Sequence, residues 1–149
     1  MVQLSESIRP ILKKKSSILF SVAPTDSVQT AIALMAEKQI GALLVLQDGK
    51  LVGIVSERDY ARKVFLKGRS SPHTTVAEIM TSPVIAVSPE HSVGDCMHII
   101  TEKRIRHLPV LENDQLVGMI SIGDLVNAML YSQRETIRHL EAYIAGTPT

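Results

Sequence analysis

The chain has few aromatic residues, one cysteine and no long apolar run, and each shortage excludes a class of protein. It contains no tryptophan and only 3% aromatic residues, so its core must be aliphatic. Cys96 alone cannot form an internal disulfide, which fits a reducing compartment. No apolar run reaches the roughly 18 residues of a membrane span, and no secretory signal precedes the first strand. The formal net charge of +1 gives no signature of nucleic-acid or membrane binding. We therefore predict a cytoplasmic protein with neither as partner.

Patterns that carry catalysis or bind metals are also missing. The histidines show no metal-ligand spacing, and Cys96 lies on an apolar helix stripe, where a core role is expected. The sequence contains no nucleophile–base pair, no phosphate-binding loop of the Walker type and no paired carboxylates. It therefore predicts neither an enzyme nor a metal protein.

What the chain does have is an internal repeat. Residues 22–64 align without a gap onto residues 87–129, at an offset of 65, and 15 of the 43 pairs are identical. With 149 residues, the chain is about the size of one compact domain, so two copies of one unit should share a core. We expect the copies to face each other across a pseudo-two-fold axis and to create equivalent clefts for small ligands.

Each repeat reads β-α-β-β-α, which predicts an α/β (α+β) fold. Ser27 and Ser92 are natural N-caps of the first helix, and Asp48-Gly49 is a hairpin signal. The predicted strands are Leu19–Val22, Ala42–Leu46 and Leu51–Val55 in the first copy, and Val84–Val87, Leu108–Leu111 and Leu116–Ile120 in the second. The final helices begin near Ser56 and Ser121. Their apolar residues predict a homodimer: Tyr60, Val64 and Phe65, and Leu125, Val126, Met129 and Leu130.

The pattern divides the chain into five segments. These are an N-terminal lead with a short helix (1–16), repeat 1 (17–68), a linker with a short helix (69–80), repeat 2 (81–131), and a C-terminal helix and tail (132–149). In the lead, Lys13-Lys14-Lys15 is either the cationic last turn of the helix or a phosphate-contacting patch. In the last segment, Ile137, Leu140 and Ile144 share one helix face, and 146–148 (Gly-Thr-Pro) should stop the helix.

The most specific motif is Gly-x-x-Ser-x-x-Asp at a strand-to-helix junction, present at Gly53–Asp59 and at Gly118–Asp124. Such a junction presents backbone N–H groups and the positive helix end, which suits a phosphate. The serine hydroxyl can add a donor, and the aspartate can accept both hydroxyls of a ribose. The same serine and aspartate could instead form a capping box that needs no ligand. Aspartate in both copies, with glycine three residues before the serine, favours the ligand role.

With these motifs the repeat pair resembles a tandem of cystathionine-β-synthase-type (CBS) domains over residues 17–131. The segments Ile85–Pro89 and Ile105–Val110 carry the resemblance together with the two motifs. It implies two clefts for adenosine-containing ligands, such as AMP, ADP, ATP, NAD or S-adenosylmethionine. It further implies that Asp59 and Asp124 hold the ribose and that Ser56 and Ser121 lie near the phosphate. The implied adenine slots are lined by Ile18, Phe20, Val22, Ala42 and Leu43, and by Val84, Ile85, Val87, His107 and Leu108.

The two predicted clefts are not equivalent. The second copy has Arg104, Arg106 and His107 before its second strand, where the first has Gln39, Gly41 and Ala42. The resemblance implies that basic residues here reach phosphates, so Arg58, Arg106 and His107 would favour a charged tail at one site. Alternatively, Arg104 and Arg106 form a solvated strand edge.

Together these features predict a non-catalytic regulatory module. It would sense an adenine nucleotide and change the conformation or dimer packing that a regulated protein partner reads. The alternative is a structural or interaction module that dimerises or docks an enzyme without a physiological ligand.

Overall fold

The computed structural model describes residues 4–15 and 18–146, and its mixture of helices and strands confirms the predicted α+β fold. No helix among these residues is both long and apolar enough to cross a bilayer. The elements in chain order are α1 (Arg9–Lys14), β1 (Ser21–Val22), α2 (Val28–Lys38), β2 (Ala42–Gln47), β3 (Lys50–Ser56), α3 (Glu57–Tyr60), a π turn (Ala61–Phe65), a 3-10 turn (Ser71–His73), α4 (Val76–Ile79), α5 (Val93–Lys103), β4 (His107–Glu112), β5 (Gln115–Ser121) and α6 (Ile122–Ile144).

The chain folds as two compact units. The repeat-1 unit comprises residues 18–85, and the repeat-2 unit comprises residues 4–15 together with residues 86–146. The N-terminal segment thus belongs to the same unit as the second repeat.

The repeat-1 unit is built on a three-stranded sheet in the order β1-β2-β3. Strand β1 runs parallel to β2, and β2 and β3 form an antiparallel hairpin. The turn residues Asp48 and Gly49 have φ values of 52° and 78°, as a tight hairpin turn of the Asn/Asp-Gly type requires. Helix α2 begins at the predicted cap, where the Ser27 side chain accepts a hydrogen bond from the Thr30 N–H. The core is aliphatic, as predicted, and comprises Val22, Val28, Ala31, Met35, Leu43, Val45, Val55, Val64, Val76 and Ile79.

The predicted first strand of repeat 2, Val84–Val87, is wrong. Only Val87 pairs with a neighbour, through one bridge to Val110. In the repeat-1 unit the Leu44 N–H donates to the Phe20 carbonyl at 3.3 Å, which continues the parallel pairing. Pro109 occupies the position of Leu44 in the second copy and has no N–H to donate, so the ladder cannot extend to Ile85.

The final helices of the two repeats differ in length. Helix α3 has 4 residues before a π turn, whereas α6 runs unbroken for 23 residues. The predicted C-terminal helix is therefore the second half of α6 rather than a separate element. Gly146 follows the helix with φ 74°, whereas Thr147 and Pro148, also predicted to stop it, lie outside the described residues.

Two short helices play the same structural part in the two units. In the repeat-1 unit, Val76 at the start of α4 is buried, and its N–H donates to the Asp26 carbonyl at 2.8 Å. In the repeat-2 unit, Ile8 just before α1 is buried, and its N–H donates to the His91 carbonyl at 3.0 Å. Each short helix is thereby fixed to the loop that leads into the 11-residue helix of its own unit, α2 or α5.

Candidate functional site

Both Gly-x-x-Ser-x-x-Asp motifs lie where a strand passes into a helix, as predicted, and both form a capping box. Ser121 Oγ accepts from the Asp124 N–H at 3.1 Å, and Asp124 Oδ2 accepts from the Ser121 N–H at 2.8 Å. Ser56 and Asp59 make the same pair of bonds at 3.2 and 2.9 Å. The capping role is therefore real in both copies, and any ligand would have to share these aspartates with it.

Asp59 is held by a lysine from its own helical segment. Its side chain is 15% exposed, and the Lys63 ammonium lies 3.2 Å from Oδ1. The same ammonium donates to the Ile79 carbonyl at 2.9 Å. Lys63 follows Asp59 by four residues, so this ion pair joins successive turns of the chain.

Asp124 is held by a lysine that is distant in sequence. Lys15, at the C-terminal end of α1, lies 2.6 Å from Asp124 Oδ2 and donates to the Met119 carbonyl at 2.7 Å. Burial alone would raise the pKa of Asp124, but the hydrogen bonds from Lys15 and the Ser121 N–H and the charge of Lys15 outweigh it and lower that pKa. The carboxylate is therefore ionised at neutral pH and 23% exposed.

Two of the predicted basic residues of the second copy, Arg106 and His107, flank the strand-to-helix junction through their main chain. His107 begins β4 directly opposite Ser121, and the Arg106 carbonyl accepts from the Ile122 N–H at 2.9 Å. Burial lowers the pKa of His107, and the charges of Lys15 and Arg106 lower it further, whereas Asp124 acts in the opposite direction. Near neutral pH the imidazole is therefore uncharged, and it lies within the electrostatic reach of all three charged groups.

The corresponding place in the repeat-1 unit has uncharged residues where the second copy has Arg106 and His107. Ala42 lies opposite Ser56 in the register of β2 and β3, and the Gly41 carbonyl accepts from the Glu57 N–H at 3.0 Å. Arg58 is half-buried next to Asp59 in sequence. The residues beside the two motifs therefore differ, and the effect of this difference on ligand binding stays a prediction.

The residues assigned to the adenine slots divide by burial. Ile18 is 66% exposed, and Phe20 is half-buried with the Lys38 ammonium 5.2 Å from its ring centre. Val84 and Ile85 are half-buried. The remaining aliphatic members are buried, so their side chains contribute to the core of their unit and their contact with an adenine stays a prediction: Val22, Ala42, Leu43, Val87 and Leu108.

Sequence reasoning named Lys15 as part of a possible phosphate-contacting patch but did not pair Lys15 or Lys63 with the motif aspartates. The four-residue spacing of Asp59 and Lys63 was a usable signal. Lys15 had no such signal, because 109 residues separate it from Asp124. No group of three or more histidine, cysteine or acidic side chains that could hold a metal ion occurs in the described part of the chain.

Comparison with known proteins shows the family. The model of the CBS domain matches residues 15–65 and 76–131. The chain is 44% identical over 126 residues to the mitochondrial CBS domain-containing protein CBSX3 of Arabidopsis thaliana, covering 81% of this chain and 61% of that relative. It is 34% identical over 110 residues to the CBS domain-containing protein YhcV of Bacillus subtilis, covering 73% of this chain and 78% of the relative.

A solved structure of a CBS-domain protein from Burkholderia ambifaria is 51% identical and superimposes with a TM-score of 0.83, covering 85% of this chain and 96% of that one. The family match, the relatives and the two motif sites agree: the chain belongs to the CBS-domain family and carries the domain twice.

Proposed function

We propose that this chain is a non-catalytic regulatory module that binds an adenine nucleotide, such as AMP, ADP, ATP or NAD, through Asp59 and Asp124. One observation carries the proposal: the same partly buried carboxylate recurs at the same strand-to-helix junction of both repeats, each time beside a lysine ammonium. S-adenosylmethionine is a further candidate, because it contains the same adenosine group.

Membership of the family supports this reading. CBS-domain proteins are commonly regulatory, ligand-binding modules, and those that stand alone are generally non-catalytic. CBS domains typically bind adenosine ligands, and proteins that contain them often oligomerise. We therefore also propose a homodimer whose packing a protein partner reads. We keep the cytoplasm as the proposed location, although the Arabidopsis thaliana relative is named as mitochondrial.

The chemistry of the junction suits such a ligand. A carboxylate can accept hydrogen bonds from both ribose hydroxyls. A neutral amide in its place does this less well, because its NH₂ group can only donate. At Asp124 the N-terminus of the 23-residue helix α6 adds backbone N–H groups and a partial positive charge that favour an anionic group. Binding at Asp124 also requires the ligand to compete with Lys15, which already holds one carboxylate oxygen.

One observation favours the alternative function, an interaction module without a ligand. Both aspartates are satisfied within the protein by a capping box and a lysine. A purely structural role would need nothing more.

The two functions separate on substitution of the carboxylates. Asp59→Asn and Asp124→Asn keep the side-chain size but lose one acceptor oxygen, so each should weaken AMP binding at its site at least about tenfold. The free energy of unfolding should fall by less than about 1 kcal/mol in each, the scale of a helix-terminal charge. Isothermal titration calorimetry with AMP, ATP, NAD and S-adenosylmethionine measures the affinity, and urea unfolding measures the stability.

The matched control is Asp95→Asn. Asp95 forms the same capping box with Ser92 at the start of α5 but lies outside both motifs. This variant should leave every affinity unchanged. If wild-type protein binds none of the four ligands, or if both motif variants bind as tightly as wild type, the aspartates return to a capping role and the interaction module is the better account.

A further inference from the structure

Lys15 is placed at Asp124 by the folding of the whole N-terminal segment. Besides the bond from Ile8 to His91, the Val93 N–H donates to the Glu6 carbonyl at 2.8 Å, which pairs this segment with the start of α5. A side chain at Gly118 would meet Leu12 Cδ2 at 2.8 Å, so α1 also lies directly against strand β5. The position of Lys15 is therefore a consequence of several buried contacts rather than of one surface ion pair.

The repeat-1 unit shows that the fold does not need a lysine at this place. There the Ile54 carbonyl, the counterpart of Met119 in the repeat alignment, accepts from the Thr81 backbone N–H at 2.8 Å. In the repeat-2 unit the Met119 carbonyl instead accepts from the Lys15 ammonium. A main-chain hydrogen bond in one copy is thus replaced by a hydrogen bond from a lysine ammonium in the other.

The two lysines also differ in what holds them. Lys63 belongs to the same helical segment as Asp59, and the second copy has Ala128 at the corresponding position. Lys15 comes from outside the repeat, and its side chain is 36% exposed. It can therefore turn from the carboxylate to a neighbouring anion by rotating about its own side-chain bonds.

The charges around Asp124 do not balance once a ribose binds there. The Lys15 ammonium lies 2.6 Å from Asp124 Oδ2 and is the charged partner of this carboxylate, with His107 uncharged near neutral pH. Ribose hydroxyls that bind the carboxylate would replace the charged Lys15 ammonium by neutral donors. The ammonium would then lack the anion with which it is paired. A phosphate on the same ligand gives the Lys15 ammonium a new anion, whereas the positively charged sulfonium of S-adenosylmethionine does not.

From this geometry we infer that Lys15 contacts the phosphate of the nucleotide bound at Asp124, so that this site selects phosphorylated adenine nucleotides over adenosine and S-adenosylmethionine. The inference rests on the proposed function and deepens it by naming the ligand class of one site. On binding, the ribose takes the place of the ammonium at Asp124 Oδ2, and the ammonium passes to the phosphate.

The test compares AMP with adenosine by calorimetry in the whole chain. Asp59→Asn is present throughout, so that the Asp124 site dominates the signal. Lys15→Met should weaken AMP at least tenfold and leave adenosine within threefold or bind it more tightly, because the carboxylate no longer has a competing cation. Lys13→Met is the control: Lys13 lies in the last turn of the same helix and makes no ion pair within the described residues, so both affinities should stay unchanged.

Three results would overturn the inference. Equal losses for AMP and adenosine would mean that Lys15 only positions Asp124. An unchanged AMP affinity would mean that the phosphate lies elsewhere. Both of these results leave the proposed function standing, because the Asp59→Asn protein still binds AMP. The third result is that the protein without any substitution binds neither ligand, and then the proposed function and this inference both fail. Circular dichroism of Lys15→Met should show the melting curve of a folded protein, which excludes unfolding as the cause of a loss.

Discussion

Gly53 and Gly118 occupy the same motif position in the two repeats, but a side chain would meet different atoms at each. At Gly53 an added Cβ would lie 2.5 Å from Met80 Sδ and 3.2 Å from the Thr81 carbonyl oxygen. At Gly118 the atom that it would meet among the described residues is Leu12 Cδ2, at 2.8 Å. A leucine methyl can rotate away, whereas a backbone oxygen held by hydrogen bonds cannot.

We therefore expect Gly53→Ala to destabilise the protein more than Gly118→Ala. Overpacking of this kind costs about 1–3 kcal/mol, and Gly53→Ala should fall in that range with Gly118→Ala below it. Urea unfolding of both variants measures the difference. Equal losses, or a larger loss at Gly118, would show that α1 is held against β5 at least as rigidly as the segment after α4 is held against β3.

His107 makes stability depend on pH. Burial and the charges of Lys15 and Arg106 lower its pKa in the folded state, so the folded protein favours the uncharged ring. A group whose pKa is lower in the folded than in the unfolded protein stabilises the fold at pH values above its unfolded pKa, which is about 6.5 for histidine. This stabilisation is lost as the pH falls toward the pKa of the folded state. The free energy of unfolding should therefore decrease between about pH 7 and pH 5.5 as the unfolded state takes up the proton first.

Replacing the imidazole tests the source of this dependence. His107→Gln should flatten the fall in stability over that range, as measured by urea unfolding at pH 7.5, 6.5 and 5.5. His139→Gln, at an exposed position of α6, should keep the slope of the wild type. A slope that survives His107→Gln would assign the pH dependence to other groups.

At the scale of the element, local chemistry was predictable and pairing between elements was not. The caps at Ser27 and Ser92 and the hairpin at Asp48-Gly49 depend on a few neighbouring residues, and the structure confirms all three. The strand at Val84–Val87 failed because its pairing depends on Pro109, which the sequence places about two dozen residues later. An alignment shows proline in place of leucine, but which N–H groups the sheet needs depends on the pairing of the strands.

The partnership of α1 with the second repeat shows a different limit. Ser7-Ile8 and Ile11-Leu12 match Thr75-Val76 and Ile79-Met80 in residue type, which is the signal of equivalent short helices. Their offset is 68 residues, three more than the offset of the repeats, so a gapless alignment does not detect them. For the same reason the sequence could predict Asp124 as a site residue but could not pair it with Lys15.

At the scale of the whole molecule, α6 leaves an apolar stripe exposed. Val126, Leu130, Ile137, Leu140 and Ile144 are 40%, 48%, 55%, 56% and 83% exposed. Together with Gln133, these residues follow the alternating spacing of four and three residues that forms the seam of a coiled coil. One polar residue in such a seam, here Gln133, can fix the register in which two helices pair. A second copy of the same helix presents a matching stripe, which supports the proposed homodimer.

The burial also corrects the surface expected from the sequence. Val64 and Leu125 are 1% and 0% exposed and belong to the interior of their units, so they are not available to a partner. Phe65 is 71% exposed and remains a candidate. The helical periodicity had placed these residues on apolar faces correctly, but it could not tell which apolar face each unit uses for its own core.

Light scattering tests the dimer and the part that α6 plays in it. At micromolar concentration the wild type should show twice the chain mass of 16.3 kDa. Ile137→Glu places a charge in the centre of the stripe and should shift the population toward the monomer, because burying an unpaired carboxylate in an apolar contact is unfavourable. His139→Glu changes an exposed residue outside the seam and should leave the mass at the dimer value. A wild-type mass near 16.3 kDa would refute the homodimer. If the Ile137→Glu variant remains a dimer, the interface lies outside the second half of α6.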